Sequence, residues 1–332
     1  MRVELGPDGP VLLHTPAERP PDGASAVLVR IELAGLCRSD LKEIAGDRHG
    51  ASQFGHEIVG VVAESTVPEL PPGSRVGLDP NVPKVRRGTG FATAMWVTGP
   101  ADRVLAALPT LPVGIPARRL VFAEPVACVW HCLAALTRHL GRPLPGLRLA
   151  VLGAGTAGVL TAGLALAHGA TVVVGNRSAD RTEFLRERGL LAAPVGPLAD
   201  LPSDSVDAAV ITTSFVRPDV LAEALRVVAP GGLVLLYGGT APGDALPGLD
   251  CDLDTVRRTE ISVPASWRGK PVLVGGSYGT VPKDFTAAVS ALAEPALAVE
   301  RMITCEVPLH ALPDVLRDQA AGRALGKTLV LP

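Results

Sequence analysis

Aromatic side chains are scarce. Three Trp, two Tyr and six Phe in 332 residues are too few to line a large aromatic pocket. An excess of one charge sign is also missing: 31 Lys and Arg stand against 33 Asp and Glu, for a net charge of −2. With the basic residues scattered, there is no electrostatic footprint for nucleic acid or for an acidic membrane surface. The five cysteines, at 37, 128, 132, 251 and 305, are odd in number and irregular in spacing. That excludes a disulfide framework and points to a reducing compartment. Met1-Arg2-Val3-Glu4-Leu5 leads into no apolar stretch, so no secretory signal is read there and a cytoplasmic location is expected. One uncharged run, residues 149–167, has the length of a membrane span. Gly153, Gly155 and Gly158 interrupt it, and a buried strand, a glycine turn and a buried helix explain it better.

What is present suits a folded chain of two domains. The apolar fraction is 47% and the charged fraction 19%, and the length exceeds what one small core accommodates. To about residue 120 the pattern is one of short strands and turns, with strands at residues 26–31, 57–63 and 75–78. Their β-branched residues fit a pleated, half-buried surface, and a compact, partly closed barrel is expected. After Pro125 the pattern changes to helix at 126–140, then strands at 147–152, 171–174, 206–211 and 233–237. Helices at 161–168, 180–188 and 220–228 separate these strands, which predicts an α/β, doubly wound parallel sheet. The tail, with a helix at 284–292 and a strand at 327–331, is expected to rejoin the barrel. The domains are therefore set at 1–125 with 271–332, and 126–270.

Gly153-x-Gly155-x-x-Gly158 follows a strand and opens a helix, the context in which this pattern binds a dinucleotide. The first glycine permits the tight turn, the second lets the backbone approach the pyrophosphate, and the third lets helix and strand pack closely. Thr156 and Ala157 then begin a helix whose N–H groups favour phosphate. At the tip of the second strand an NAD site usually carries Asp or Glu. Here the residues are Asn176, Arg177 and Ser178, with Arg181 behind them. A guanidinium there suits a 2′-phosphate, so NADP(H) is favoured over NAD(H). The other reading has Asn176 on a plain ribose and Arg177 in solvent.

Upstream of that unit lie a thiol at Cys37, an imidazole and a carboxylate at His56-Glu57, and a further carboxylate at Glu124. These are the ligand types zinc takes. Each residue has an ordinary alternative: Cys37 and His56 as core side chains, and Glu124 as a helix N-terminal acid. Cys128-x-x-His131-Cys132 falls on one predicted helix among Val126, Val129 and Leu133, and is read as packing.

Cys37-Arg38-Ser39-Asp40, Gly55-His56-Glu57 and Glu124-Pro125 in this order resemble the medium-chain, zinc-dependent alcohol dehydrogenase family. The glycine turn and Gly275-Gly276-Ser277-Tyr278-Gly279 with Asp284-Phe285 extend the resemblance over essentially the whole chain. Within the family, the sorbitol and threonine dehydrogenase branch is most similar, because it has glutamate where other members have a second cysteine. The resemblance implies a GroES-like barrel carrying the catalytic residues and a Rossmann-type domain carrying the nucleotide. It implies one catalytic zinc on Cys37, His56 and Glu124, with Glu57 as an exchanging ligand or a partner of zinc-bound water. Asp40 would fix the His56 ring, Ser39 would pass the substrate proton, Arg38 would face the pyrophosphate, and Lys42 stands where relatives often end the relay with histidine. Residues 78–94 hold no cysteine, so the structural zinc of many relatives should be absent.

The expected activity is hydride transfer between NAD(P)(H) and a secondary alcohol or ketone, the alcohol being a small polyol, cyclitol, sugar or amino alcohol. A homodimer or homotetramer is implied, with no nucleic-acid or membrane partner. The rival readings are a zinc-free quinone or enoyl reductase of the same superfamily, and a non-catalytic nucleotide-binding protein.

Overall fold

A computed structural model describes residues 1–15, 19–20, 25–47, 52–322 and 324–332. The chain divides into two compact units. One comprises Met1–Ala127, Thr280–Pro295 and Met302–Pro332; the other comprises Cys128–Gly279 and Ala296–Arg301.

The first unit is built on the strand Ser25–Gly35. Along one edge it pairs antiparallel with Glu57–Ser65, with register shifts at Leu28/Val29 and Ile31/Leu33. Along the other edge it changes partner: residues 25–30 pair with Ala94–Gly99, whereas Ala34 and Gly35 pair with Lys327–Leu331. Register shifts bend a strand and increase its twist, and a bent strand serving two neighbours lets a sheet curl towards a barrel. Val27, Val29, Ile58, Val62, Phe91 and Met95 fill the interior. Two consequences matter for chemistry. Gly35 lies directly opposite Glu57 in the ladder, and Lys327–Leu331 lies on the other side of Gly35.

In the second unit seven strands lie in the order Val195–Pro197, Thr171–Asn176, Arg148–Leu152, Val206–Ile211, Val228–Leu236, Lys270–Gly276 and Ser262–Trp267. All neighbours are parallel except the last pair. The sheet is doubly wound, starting at its centre and running outward to each side. The uncharged run at 149–167 resolves into the strand Arg148–Leu152, the glycine turn and the helix Thr156–Ala167. Among the described residues no helix is long and apolar enough to cross a membrane.

The expected return to the barrel at residue 271 comes later. Lys270–Gly276 is a parallel strand of the second unit's sheet, so that unit runs on to Gly279. No crossover helix separates this strand from the one before it. A two-residue turn joins them, with Arg268 at φ 51° and Gly269 at φ 80°, the paired positive angles of a type I′ hairpin. The break inside the first unit's C-terminal part, where residues 296–301 belong to the second unit, was not expected either.

Candidate metal and nucleotide sites

Cys37 is the N-cap of the helix Arg38–Ile44 and has extended backbone angles. Asp40, fully buried, ties two segments together. Its Oδ2 accepts from the Cys37 N–H at 2.8 Å, and its Oδ1 accepts from the Gly55 N–H at 2.9 Å. The carboxylate therefore fixes the backbone on either side of the site. Gly55 has φ 65°, and a Cβ there would come within 2.7 Å of the Phe91 nitrogen. Only glycine fits both the angle and the space. His56 follows and is buried, with Nδ1 2.8 Å from the Gln53 carbonyl.

That carbonyl, not Asp40 alone, orients the ring. Asp40 Oδ1 lies 3.6 Å from Nδ1, too long for a good hydrogen bond. The role assigned to Asp40 thus becomes mainly one of holding backbone. The other ring nitrogen, Nε2, lies 3.4 Å from the Ser39 hydroxyl. One ligand atom from each of Cys37, His56 and Glu57 falls within 4.8 Å of the other two. Donors bound at about 2.0–2.3 Å in tetrahedral geometry sit roughly 3–4 Å apart, so a sulfur, a nitrogen and an oxygen lie close enough together for one ion to draw them in.

Glu124 is buried in the first turn of the helix Ala123–Leu140. It lies outside that tight trio but near enough to act on His56. Burial opposes a charged imidazole, yet Cys37 and Glu124, followed by Asp40, outweigh it and hold His56 well above the ordinary histidine pKa. A pocket that favours a cation this strongly is suited to a metal.

Lys327 is the residue no sequence pattern marked. Its ammonium, buried to 2% exposure, forms an ion pair with Glu57 Oε2 and stands 5.8 Å from the centre of the Phe122 ring. Burial works against its charge, but Glu57, then Cys37, keep its pKa above the usual lysine value. The pair needs the gap that Gly35 leaves. A Cβ on Gly35 would lie 2.5 Å from Glu57 Oε2 and 2.9 Å from Lys327 Cε. Lys42 is half-buried on the helix Arg38–Ile44, one turn beyond Ser39, and Arg38 is exposed at the start of that helix.

In the second unit the three glycines divide their roles by contact. A Cβ on Gly158 would sit 1.8 Å from the Gly153 carbonyl oxygen, and one on Gly153 (φ 125°) would meet Thr212 Oγ1 at 2.8 Å. Gly155 differs, since a Cβ there would meet nothing within 4 Å. It is the N-cap of the helix Thr156–Ala167, and no side chain caps that helix. Uncapped N–H groups at Thr156 and Ala157, facing open space at Gly155, suit a pyrophosphate.

Asn176 closes the turn from the side: its Oδ1 accepts from the Ala154 N–H at 3.1 Å and its Nδ2 donates to the Ser178 carbonyl at 3.1 Å. Its amide therefore serves the turn. Arg177, expected to face a phosphate or solvent, is paired with Asp219 at 2.6 Å. Ser178 is the N-cap of the helix Ala179–Glu187, which carries Arg181 in its first turn.

Gly158→Ala is expected to force this turn apart, because the clash is with backbone and no rotamer relieves it. The predicted result is at least tenfold weaker nucleotide binding by calorimetry, together with a lowered Tm. Unchanged binding would contradict the assignment of the turn.

Among the described residues, Cys128, His131 and Cys132 do not form a cluster that could hold a metal ion. His131 Nε2 is 2.8 Å from Glu260 Oε1. Burial, only partly offset by a Ser277 hydrogen bond, pushes the Cys132 thiol up to about 12.

Residues 23–124 match the alcohol dehydrogenase GroES-like domain. Galactitol 1-phosphate 5-dehydrogenase of Escherichia coli K12 is 25% identical over 92% of this chain and 92% of its own length. Sorbitol dehydrogenase of Halalkalibacterium halodurans is 25% identical over 94% of this chain and 93% of its own. These matches place an alcohol dehydrogenase GroES-like domain within the first unit, and over nearly its whole length the chain is similar to dehydrogenases of polyols and sugar alcohols. Among solved structures, a Sinorhizobium meliloti 1021 protein described as a zinc-binding dehydrogenase, bound to NADP, superposes with a TM-score of 0.71. It is 23% identical and covers 94% of each chain. The fold is thus that of a GroES-like domain, the first unit, and a Rossmann-type domain, the second.

Proposed function

We propose that this chain is a zinc-dependent oxidoreductase that moves hydride between NAD(P)(H) and a secondary alcohol or its ketone, with NADP(H) preferred. The observation that carries the reading is the convergence of a half-buried thiol, Cys37, with the buried imidazole and carboxylate of His56 and Glu57, beside the Ser39 hydroxyl. Cys37, His56 and Glu124 would hold the ion, with Glu57, paired with Lys327, as the fourth, exchangeable ligand. Bound there, zinc supplies Lewis acidity at the substrate oxygen, and the nicotinamide supplies or takes the hydride.

The chain's own residues do the rest. The Gln53 carbonyl fixes the His56 ring so that Nε2 faces the site, as metal-bound imidazoles require. Ser39, 3.4 Å from His56 Nε2, relays the proton: its hydroxyl accepts from the substrate hydroxyl while donating its own proton outward during oxidation, and the reverse occurs during reduction. Lys42, one turn further along the helix, stands on the route outward. In the second unit the glycine turn receives the pyrophosphate. The polyol and sugar-alcohol substrates in the names of the similar enzymes and the scarcity of aromatic residues support a small polyol, cyclitol, sugar or amino alcohol as substrate.

The test is a panel of those alcohols and their ketones with each nucleotide, followed by absorbance of the reduced cofactor. Turnover of at least one member, with NADP(H) preferred, is expected. No turnover on any alcohol or ketone would overturn the enzymatic reading. A tenfold preference for NADH, about 1.4 kcal/mol, would overturn the nucleotide preference.

A further inference from the structure

The sheet order places an ion pair across the nucleotide turn. The strand Arg148–Leu152, which ends in that turn, lies between Thr171–Asn176 on one side and Val206–Ile211 on the other. Arg177 follows the first of these neighbours. Asp219 follows the second, in the first turn of the helix Pro218–Val227. Their contact, Arg177 Nη1 to Asp219 Oδ2 at 2.6 Å, therefore spans the carboxyl end of the turn-bearing strand, where open α/β sheets take their ligands.

Both side chains are 55% exposed, and a pair this exposed is weakly held. Asp219 already sits at a helix N-terminus that stabilises it, so it tolerates losing its partner. Arg177 has five donors in a planar fork suited to phosphate. A carboxylate and a 2′-phosphate cannot both crowd that fork without repelling each other.

We propose that Asp219 is a nucleotide-specificity residue: it holds Arg177 when no nucleotide is bound and competes with the 2′-phosphate for the same guanidinium. NADP(H) is then bound by exchange of partners at Arg177, and Asp219 restrains a preference that Arg177 alone would make stronger. This rests on the reading that the second unit holds NADP(H).

The test uses the full chain and two probes that isolate the phosphate, adenosine 2′,5′-bisphosphate and 5′-AMP, with binding followed by calorimetry. Asp219→Asn is expected to tighten the bisphosphate at least fivefold and leave 5′-AMP within twofold. Asp219→Glu, which keeps the charge, should stay near the wild type. Arg177→Ala should weaken the bisphosphate at least tenfold, and adding Asp219→Asn to it should restore nothing. Melting temperatures of all variants establish that they fold.

Equal tightening of both probes by Asp219→Asn, or no tightening of either, overturns the proposal. If Arg177→Ala still weakens the bisphosphate in that case, the NADP(H) reading survives without it. If Arg177→Ala changes neither probe, or the wild type binds neither, both fall together.

Discussion

Cys37→Ser is expected to lower kcat/KM on the best alcohol about a thousandfold, roughly 4 kcal/mol of transition-state stabilisation. The reasoning begins with the ligand. Zinc binds thiolate sulfur far better than a serine hydroxyl, which does not ionise at neutral pH. Cys37 is the only sulfur in the cluster, so the remaining nitrogen and oxygen donors would be left to hold the ion. Metal content should fall in parallel with activity. The fold should survive, because Asp40 bonds the backbone at residue 37 and not its side chain. Kinetics, metal analysis and a melting curve on one preparation check all three parts. A variant that keeps its activity would favour the zinc-free reductase reading instead.

The second large effect concerns stability. Lys327→Met keeps the length of the side chain and removes the charge, leaving the Glu57 carboxylate buried opposite a thioether. Breaking a buried pair from one side typically costs about 3–5 kcal/mol, because the remaining charge has no compensation. The expected loss in denaturant unfolding is of that order, confined to the transition of the first unit if the two units unfold separately. Glu57→Gln combined with Lys327→Met should recover part of the loss, since neither residue then carries a buried charge. A cost below about 1 kcal/mol for Lys327→Met would mean that Glu57 is stabilised by something other than this ammonium.

The candidate site was legible in the sequence where its residues lie in short motifs. Cys37, His56 and Glu57 are residue types with few other reasons to occur together, and the glycine spacing at 153–158 follows directly from a backbone that must nearly touch itself. Lys327 was hidden because it lies 270 residues from its partner. It opens a strand whose remaining residues are apolar or threonine, and nothing nearby announces a buried charge. Gly35 was hidden for the same reason. Its need for open space arises from Glu57 across the ladder and Lys327 on the adjoining strand, neither of which is its neighbour in sequence.

The late domain boundary follows from a different cause. A strand that returns by a tight hairpin has no crossover helix to mark it, although the Arg268-Gly269 turn between two β-rich runs was a readable signal. Asp219 resembles any acid favoured at a helix start, and only the sheet order brings it opposite Arg177.

The most direct test of the central claim is anomalous diffraction on crystals of the purified protein, recorded on both sides of the zinc absorption edge. A single peak within bonding distance of Cys37 Sγ and His56 Nε2, with Glu124 or Glu57 as a further ligand, is the predicted result. Crystals of protein active on an alcohol that show no anomalous peak at this cluster would contradict it.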